Sequence, residues 1–138
     1  AYYGTEAFLR TFQALVAPAL AQFQPELILV CAGYDAHFAD PLTQLGLTAE
    51  GYALLTEAVM RCAESLSIDH IGFLLEGGYN VQALANSVTA TLQTLIDQKA
   101  SVFKEDLGLA LEIELLELEP LIEKILFTHP LLNKELVE

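Results

Sequence analysis

Hydrophobic residues recur along this chain at two different periods, and the change from one to the other outlines its elements. Between Glu6 and Gln22, Phe8, Leu9, Phe12, Leu15, Val16 and Leu20 return every three or four residues, which predicts a helix. Pro18 sits awkwardly in that pattern and predicts a kink or an end. After Pro25, the apolar run Leu27 to Ala32 reads as a first strand, and Ile71 to Leu75 reads as a second. Both runs look buried, and each ends in polar and glycine residues before feeding a helix. The first of these helices spans about Ala49 to Leu66, with Thr48 as N-cap and Glu50 in the first turn. Tyr52, Leu55, Val59, Cys62 and Leu66 would line its buried face. The second spans about Val81 to Lys99, with Val81, Leu84, Ala85, Val88, Leu92 and Leu95 as its apolar stripe.

Strand, helix, strand, helix in this rhythm predicts βαβ units and a parallel sheet with a right-handed crossover. Two parallel strands do not make a stable sheet. Further strands are expected from additional chain, from a partner, or from elements the pattern hides. From Ser101 the composition shifts to leucine and glutamate, with nine acidic residues set against Lys104, Lys124 and Lys134. Leu109 to Leu115 alternates between strand and helix patterns, Pro120 breaks it, and Leu121 to Phe127 reads as a final helix. Such a tail is expected to pack on its own domain, with a partner-binding helix as the alternative.

A chain of 138 residues is one domain's worth of polypeptide, and 54% hydrophobic content argues against disorder. No apolar run approaches the roughly 18 residues that span a bilayer, and no signal-peptide pattern opens the sequence. Cys31, in a predicted strand, and Cys62, in a predicted helix, fit reduced and buried thiols, so a cytoplasmic location is expected. The net charge of −13 argues against direct contact with nucleic acid or an anionic membrane. The sequence opens at Ala1 and enters a helical pattern within a few residues, as expected of a cut through a longer polypeptide or of a processed N-terminus.

The chemistry-capable residues gather after the two strands, where ligands sit in open α/β sheets. Asp35 is a carboxylate at a strand end, able to ligate zinc or another divalent cation, or to cap a turn. His37 lies two residues on and would face the same side on extended backbone, although it also reads as a turn residue. Asp40, before Pro41, is most simply a turn former. Tyr79 follows Gly77 and Gly78, whose freedom lets backbone approach a ligand closely. Its phenol could donate to a developing oxyanion, or its ring could pack at the helix start. Glu76 is either a buried acid or a strand-end carboxylate, and His70 and His129 look structural. No Ser/His/Asp arrangement, phosphate loop or CxxC is legible. Composition and spacing alone therefore reach an α/β domain with a metal or anion site.

The stretch Pro25 to His37, then Asp40-Pro41-Leu42, Leu47-Thr48, Gly51-Tyr52 and Leu75-Glu76-Gly77-Gly78-Tyr79-Asn80, resembles the histone deacetylase superfamily. That superfamily includes acetylpolyamine amidohydrolases and acetoin-utilisation proteins. The likeness runs from about Gly4 to Leu95 in order and spacing. It implies an α/β fold of the three-layer arginase/deacetylase type, a parallel sheet flanked by helices, incomplete in this chain. Residues 1–100 would be the C-terminal part of a catalytic domain, and 101–138 an acidic, leucine-rich extension, helical and packed on it. The resemblance further implies hydrolysis of an acetyl-lysine or acetyl-amine amide at a Zn2+ centre, with Fe2+ or cobalt as alternatives. By the same match Asp35 is a metal-binding carboxylate, and Tyr79 is the catalytic tyrosine that hydrogen-bonds the scissile carbonyl and then the oxyanion. Gly77 and Gly78 would shape the wall of the substrate channel. Some relatives carry histidine in place of the tyrosine and lose activity on ordinary acetyl substrates; this chain keeps Tyr79.

The departures are as informative. The family's adjacent histidine pair, its general base and electrostatic partner, is absent, as is its upstream Asp-x-His metal motif. His37 does not take that role, because its loop is already matched to the other aspartate. The chain alone is therefore expected to be inactive. The competing expectations are a non-catalytic remnant acting as an interaction domain through its tail, and a generic doubly wound half-domain.

Overall fold

In the computed structural model, which describes residues 3–100 and 118–133, the first predicted helix is one continuous helical segment with an irregular middle. It comprises α1 (Thr5–Thr11), a π-helical stretch (Phe12–Val16) and α2 (Ala17–Phe23). Pro18 neither ends nor breaks it. Proline has no N–H to give and its ring crowds the carbonyl four residues back, here Ala14, so the wider π turn absorbs the conflict. Gln24 then closes the helix in the left-handed conformation, its N–H donating to the Leu20 carbonyl at 2.8 Å.

Strands β1 (Leu27–Ala32) and β2 (His70–Leu75) pair in parallel, with Leu27 opposite His70 and Ala32 opposite Leu75. The expected crossover helix is α3 (Ala49–Ser65), with Thr48 as its N-cap accepting from the Gly51 N–H at 3.1 Å. After β2 comes α4 (Val81–Asp97), and the final helix is α5 (Glu119–Thr128). Pro120 stands in the first turn of α5, where the missing N–H would be unpaired in any case. Ile122 is buried, and Arg10 clasps Glu119 through two hydrogen bonds of 2.7 and 2.9 Å, so α5 lies against the N-terminal helix. The ambiguous stretch Leu109 to Leu115 falls outside the described residues.

The expected burial of the strands holds for one face only. Ile28, with Val30 and Ile71, packs on Leu20, Val59, Ala63 and Ile68. The other face carries Leu27, Leu29, Cys31 and Leu74, all exposed, with Leu29 at 60%. Continuous apolar strands suit a parallel sheet covered on both sides, and the described helices cover one. Cys31 is consequently exposed; it and the half-buried Cys62 are both free thiols.

The predicted stripe of α4 also needs correction. Leu84 and Val88 pack on the Tyr34–Tyr52 cluster, but Leu92 is exposed and Val81 is 82% exposed. The buried line is Ala83, Ser87, Ala90, Thr91 and Thr94. Small side chains let α3 and α4 approach closely, and Ala49, Ala53 and Ala90 form the centre of that seam. Large apolar residues are easy to see in a sequence, whereas a tight helix pair selects small ones. Ser87 is fully buried there with no hydrogen-bond partner for its hydroxyl. Ser87→Ala is therefore expected to raise stability by about 1 kcal/mol, read as a shift in the urea midpoint at unchanged slope.

Candidate active site at the strand ends

Both strands end at the same level, and the Glu76 N–H continues their ladder by donating to the Ala32 carbonyl at 3.1 Å. The loops that follow are then joined again: the Tyr34 N–H donates to the Gly77 carbonyl at 2.8 Å. Tyr34 is itself anchored, its ring 4.9 Å from that of Tyr52 and its hydroxyl 3.2 Å from Thr91 Oγ1. The Tyr52 hydroxyl donates to the Gly33 carbonyl at 3.2 Å. Burial, reinforced by the negative charge of Asp35, pushes the Tyr52 phenol far above its ordinary range, so it stays a donor.

The Asp35 carboxylate lies between two glycines. A Cβ on Gly77 would stand 3.0 Å from Oδ2, and one on Gly33 would stand 3.0 Å from Oδ1. Neither position has room for a side chain unless the carboxylate moves. The side chain is half-buried. Its loop is held through the main chain, where the Asp35 carbonyl accepts from the Thr43 hydroxyl. A carboxylate set at a strand end in this way is a suitable oxygen ligand for a cation. A catalytic zinc takes three protein ligands. Among the described residues no group of three or more His, Cys, Asp or Glu comes together, so they offer one ligand and do not complete a set.

Gly78 has φ +133°, a backbone state that a side chain strains, and a Cβ there would meet Leu84 and Tyr34 at 3.0 and 3.1 Å. The turn it makes presents Tyr79, whose side chain is 58% exposed at the rim. The reading of Tyr79 as a ring packed at the helix start is thereby set aside. Next to it, Asn80 caps α4, its Oδ1 accepting from the N–H groups of Gln82 and Ala83 at 3.1 and 3.0 Å.

Asp40 does more than form a turn. It is only 6% exposed, and its Oδ1 accepts from the Leu42 N–H at 2.9 Å, as a turn former would. Its Oδ2 reaches across to the second loop and accepts from the N–H groups of Tyr79 at 2.7 Å and Asn80 at 3.3 Å. Asn80 answers by donating from Nδ2 to the Ala39 carbonyl at 2.9 Å. Burial by itself would raise the Asp40 pKa, but the three backbone donors and nearby His37 outweigh it and hold the carboxyl below its usual range. The charged latch thus persists above about pH 4 and weakens only as pH falls through that lowered value. The Asn80 cap was open to sequence reasoning, being an Asn just before a periodic run. The Asp40 latch joins residues about forty positions apart and had no local signal.

His37 is 2% exposed, stacks on Phe38, and its Nδ1 accepts from the Ala39 N–H at 3.1 Å. Among the described residues it is not part of any group of three or more His, Cys, Asp or Glu. His70 is the first residue of β2, and Glu76 is exposed at the strand end.

Residues 1–95 match the family described as the histone deacetylase domain. The chain belongs to the histone deacetylase family. It is 38% identical over 102 residues to histone deacetylase 14, chloroplastic, of Arabidopsis thaliana, a match covering 72% of this chain and 24% of that protein. It is 37% identical over 97 residues to the polyamine deacetylase HDAC10 of Homo sapiens, covering 70% and 14% respectively. Among solved structures, the histone deacetylase Clr3 superposes with TM-score 0.71 at 27% identity, covering 91% of this chain and 20% of that one. The HDA15 HD domain superposes with TM-score 0.63 at 29% identity, covering 74% and 28%. The deacetylase-family chain thus has part of the arginase/deacetylase fold and spans about a quarter or less of the length of these relatives. A partial catalytic domain accounts for both the family match and the two-stranded sheet.

Proposed function

We propose that this segment, within a complete deacetylase, supplies Asp35 as one ligand of a divalent cation, with zinc favoured over iron or cobalt. In the same reading Tyr79 acts on the scissile carbonyl of an acetyl-lysine or acetyl-amine amide. The observation that carries the proposal is the joining of the two strand-end loops, which sets the Asp35 carboxylate against Gly77, two residues before Tyr79. The family relationship supports the reaction class. A histone deacetylase and a polyamine deacetylase among the relatives support keeping both kinds of acetylated nitrogen as substrate.

The Asp35 carboxylate would hold the cation with help from ligands outside the described residues. The chemistry such a cation would supply is Lewis acidity, enough to polarise a carbonyl and to lower the pKa of a bound water to about 7. The Tyr79 phenol, at the exposed rim, donates a hydrogen bond to the amide oxygen and follows it as negative charge develops there. Gly77 and Gly78 would shape the wall beside it, Gly77 by leaving room for the Asp35 carboxylate and Gly78 by the turn that presents Tyr79. Water adds to the carbonyl carbon, the C–N bond breaks, and both water protons pass to the leaving nitrogen, giving acetate and the ammonium form of the amine.

The test is acetate release by the purified longer protein from an acetyl-lysine peptide and from an acetylated diamine. Turnover on at least one is expected, abolished by a chelator and restored by added Zn2+. The 138-residue chain alone is expected to release none. Acetate release that survives complete metal removal, or no release from either substrate, would overturn the proposal.

A further inference from the structure

We infer that Asp40 is a positioning residue for Tyr79: its buried carboxylate holds the tyrosine's backbone where the phenol can serve the reaction. The inference rests on the role proposed above for Tyr79.

Tyr79 has little else to hold it. Its side chain is exposed and follows Gly78, whose φ of +133° belongs to a conformation open mainly to glycine. Two successive glycines leave a chain free to swing. The fixed point directly behind the phenol is the Tyr79 N–H, 2.7 Å from Asp40 Oδ2. The same oxygen takes the Asn80 N–H, and the second oxygen takes the Leu42 N–H, so the carboxylate is held at both ends. An ionised carboxylate accepting backbone N–H groups makes bonds about twice as strong as neutral ones. The site is 6% exposed, which leaves little water to compete. The Asn80 side chain, bonded to the Ala39 carbonyl, fixes the same junction from the other side. Asp40 therefore couples the loop that carries Asp35 to the loop that carries Tyr79. A displacement of about 1 Å at a reacting group can cost about 10²-fold in rate, so this coupling bears on turnover.

The experiment is a double-mutant cycle in the full-length protein containing this segment, comparing wild type, Asp40→Ala, Tyr79→Phe and the double variant. The kcat and KM are measured on an acetyl-lysine peptide, with bound metal determined for each. Asp40→Ala is expected to lower kcat about tenfold or more, with metal content kept and KM changed little. In the Tyr79→Phe background the same substitution is expected to change kcat less than about twofold, because the phenol it positions is gone. Asp40→Asn keeps one acceptor oxygen and is expected to fall between; if the alanine variant does not fold, the cycle is run with asparagine. Equal losses in both backgrounds, with Tyr79→Phe itself impaired, would show that Asp40 is merely structural and overturn the inference alone. A Tyr79→Phe enzyme with normal kcat would overturn the role of Tyr79, and that of Asp40 with it.

Discussion

In the proposed mechanism, Tyr79→Phe in the full-length protein containing this segment is expected to lower kcat about 10²- to 10³-fold, the usual loss when one donor to a developing oxyanion is removed. Only the phenolic oxygen is deleted. The ring, the Gly78 turn and the backbone bond from the Tyr79 N–H to Asp40 are all kept. Because the side chain is exposed, the change creates no cavity, and thermal stability should stay within about 0.5 kcal/mol of wild type. Bound metal should be unchanged, since the phenol is assigned to the substrate. Steady-state kinetics on an acetyl-lysine peptide, together with metal analysis, checks the prediction. Normal turnover removes the assigned role; lost metal moves Tyr79 to the cation.

The complementary substitution, Asp35→Asn, is expected to act through the cation. Asparagine nearly preserves the shape between Gly33 and Gly77, so the packing survives. It removes a full negative charge and leaves a weakly coordinating amide oxygen. Loss of partners that merely orient metal ligands costs about 10- to 100-fold in affinity, so loss of a direct ligand should exceed about 10²-fold. Zn2+ titration into the metal-free protein would show the weakened binding, and excess Zn2+ should recover only part of the activity. Wild-type affinity in Asp35→Asn would remove Asp35 from the ligand set.

Local sequence signals accounted for a good share of the architecture. The apolar run at Leu27 to Ala32 is β1 as read, and Thr48 caps α3 as read. These features depend on neighbours in the chain, and a capping hydroxyl or a bounded apolar run carries its own explanation. The structure departs from those signals in two places. Pro18 predicts a kink or an end; the helix does not end there, and the π turn beside it is a change of helix type that periodicity does not report. The stripe of α4 was read from its large apolar residues, yet its buried line is Ala83, Ser87, Ala90, Thr91 and Thr94, with Ala90 in the seam against Ala49 and Ala53 of α3. Close approach between two helices favours small side chains, and only the partner helix reveals which face approaches.

The sequence by itself determined the order of strands and helices, the two strand-end loops with their chemistry-capable residues, and the family. Its motifs are contiguous, and their residue types follow from what each loop must do locally. The tertiary structure alone decided that Gly33 and Gly77 flank the Asp35 carboxylate and that Asp40 reaches Tyr79. It also decided that, among the described residues, one face of the sheet is left uncovered. Those facts depend on parallel pairing, which brings residues about forty positions apart within hydrogen-bond distance. No local pattern records such a contact, because its geometry arises only when β1 and β2 lie side by side.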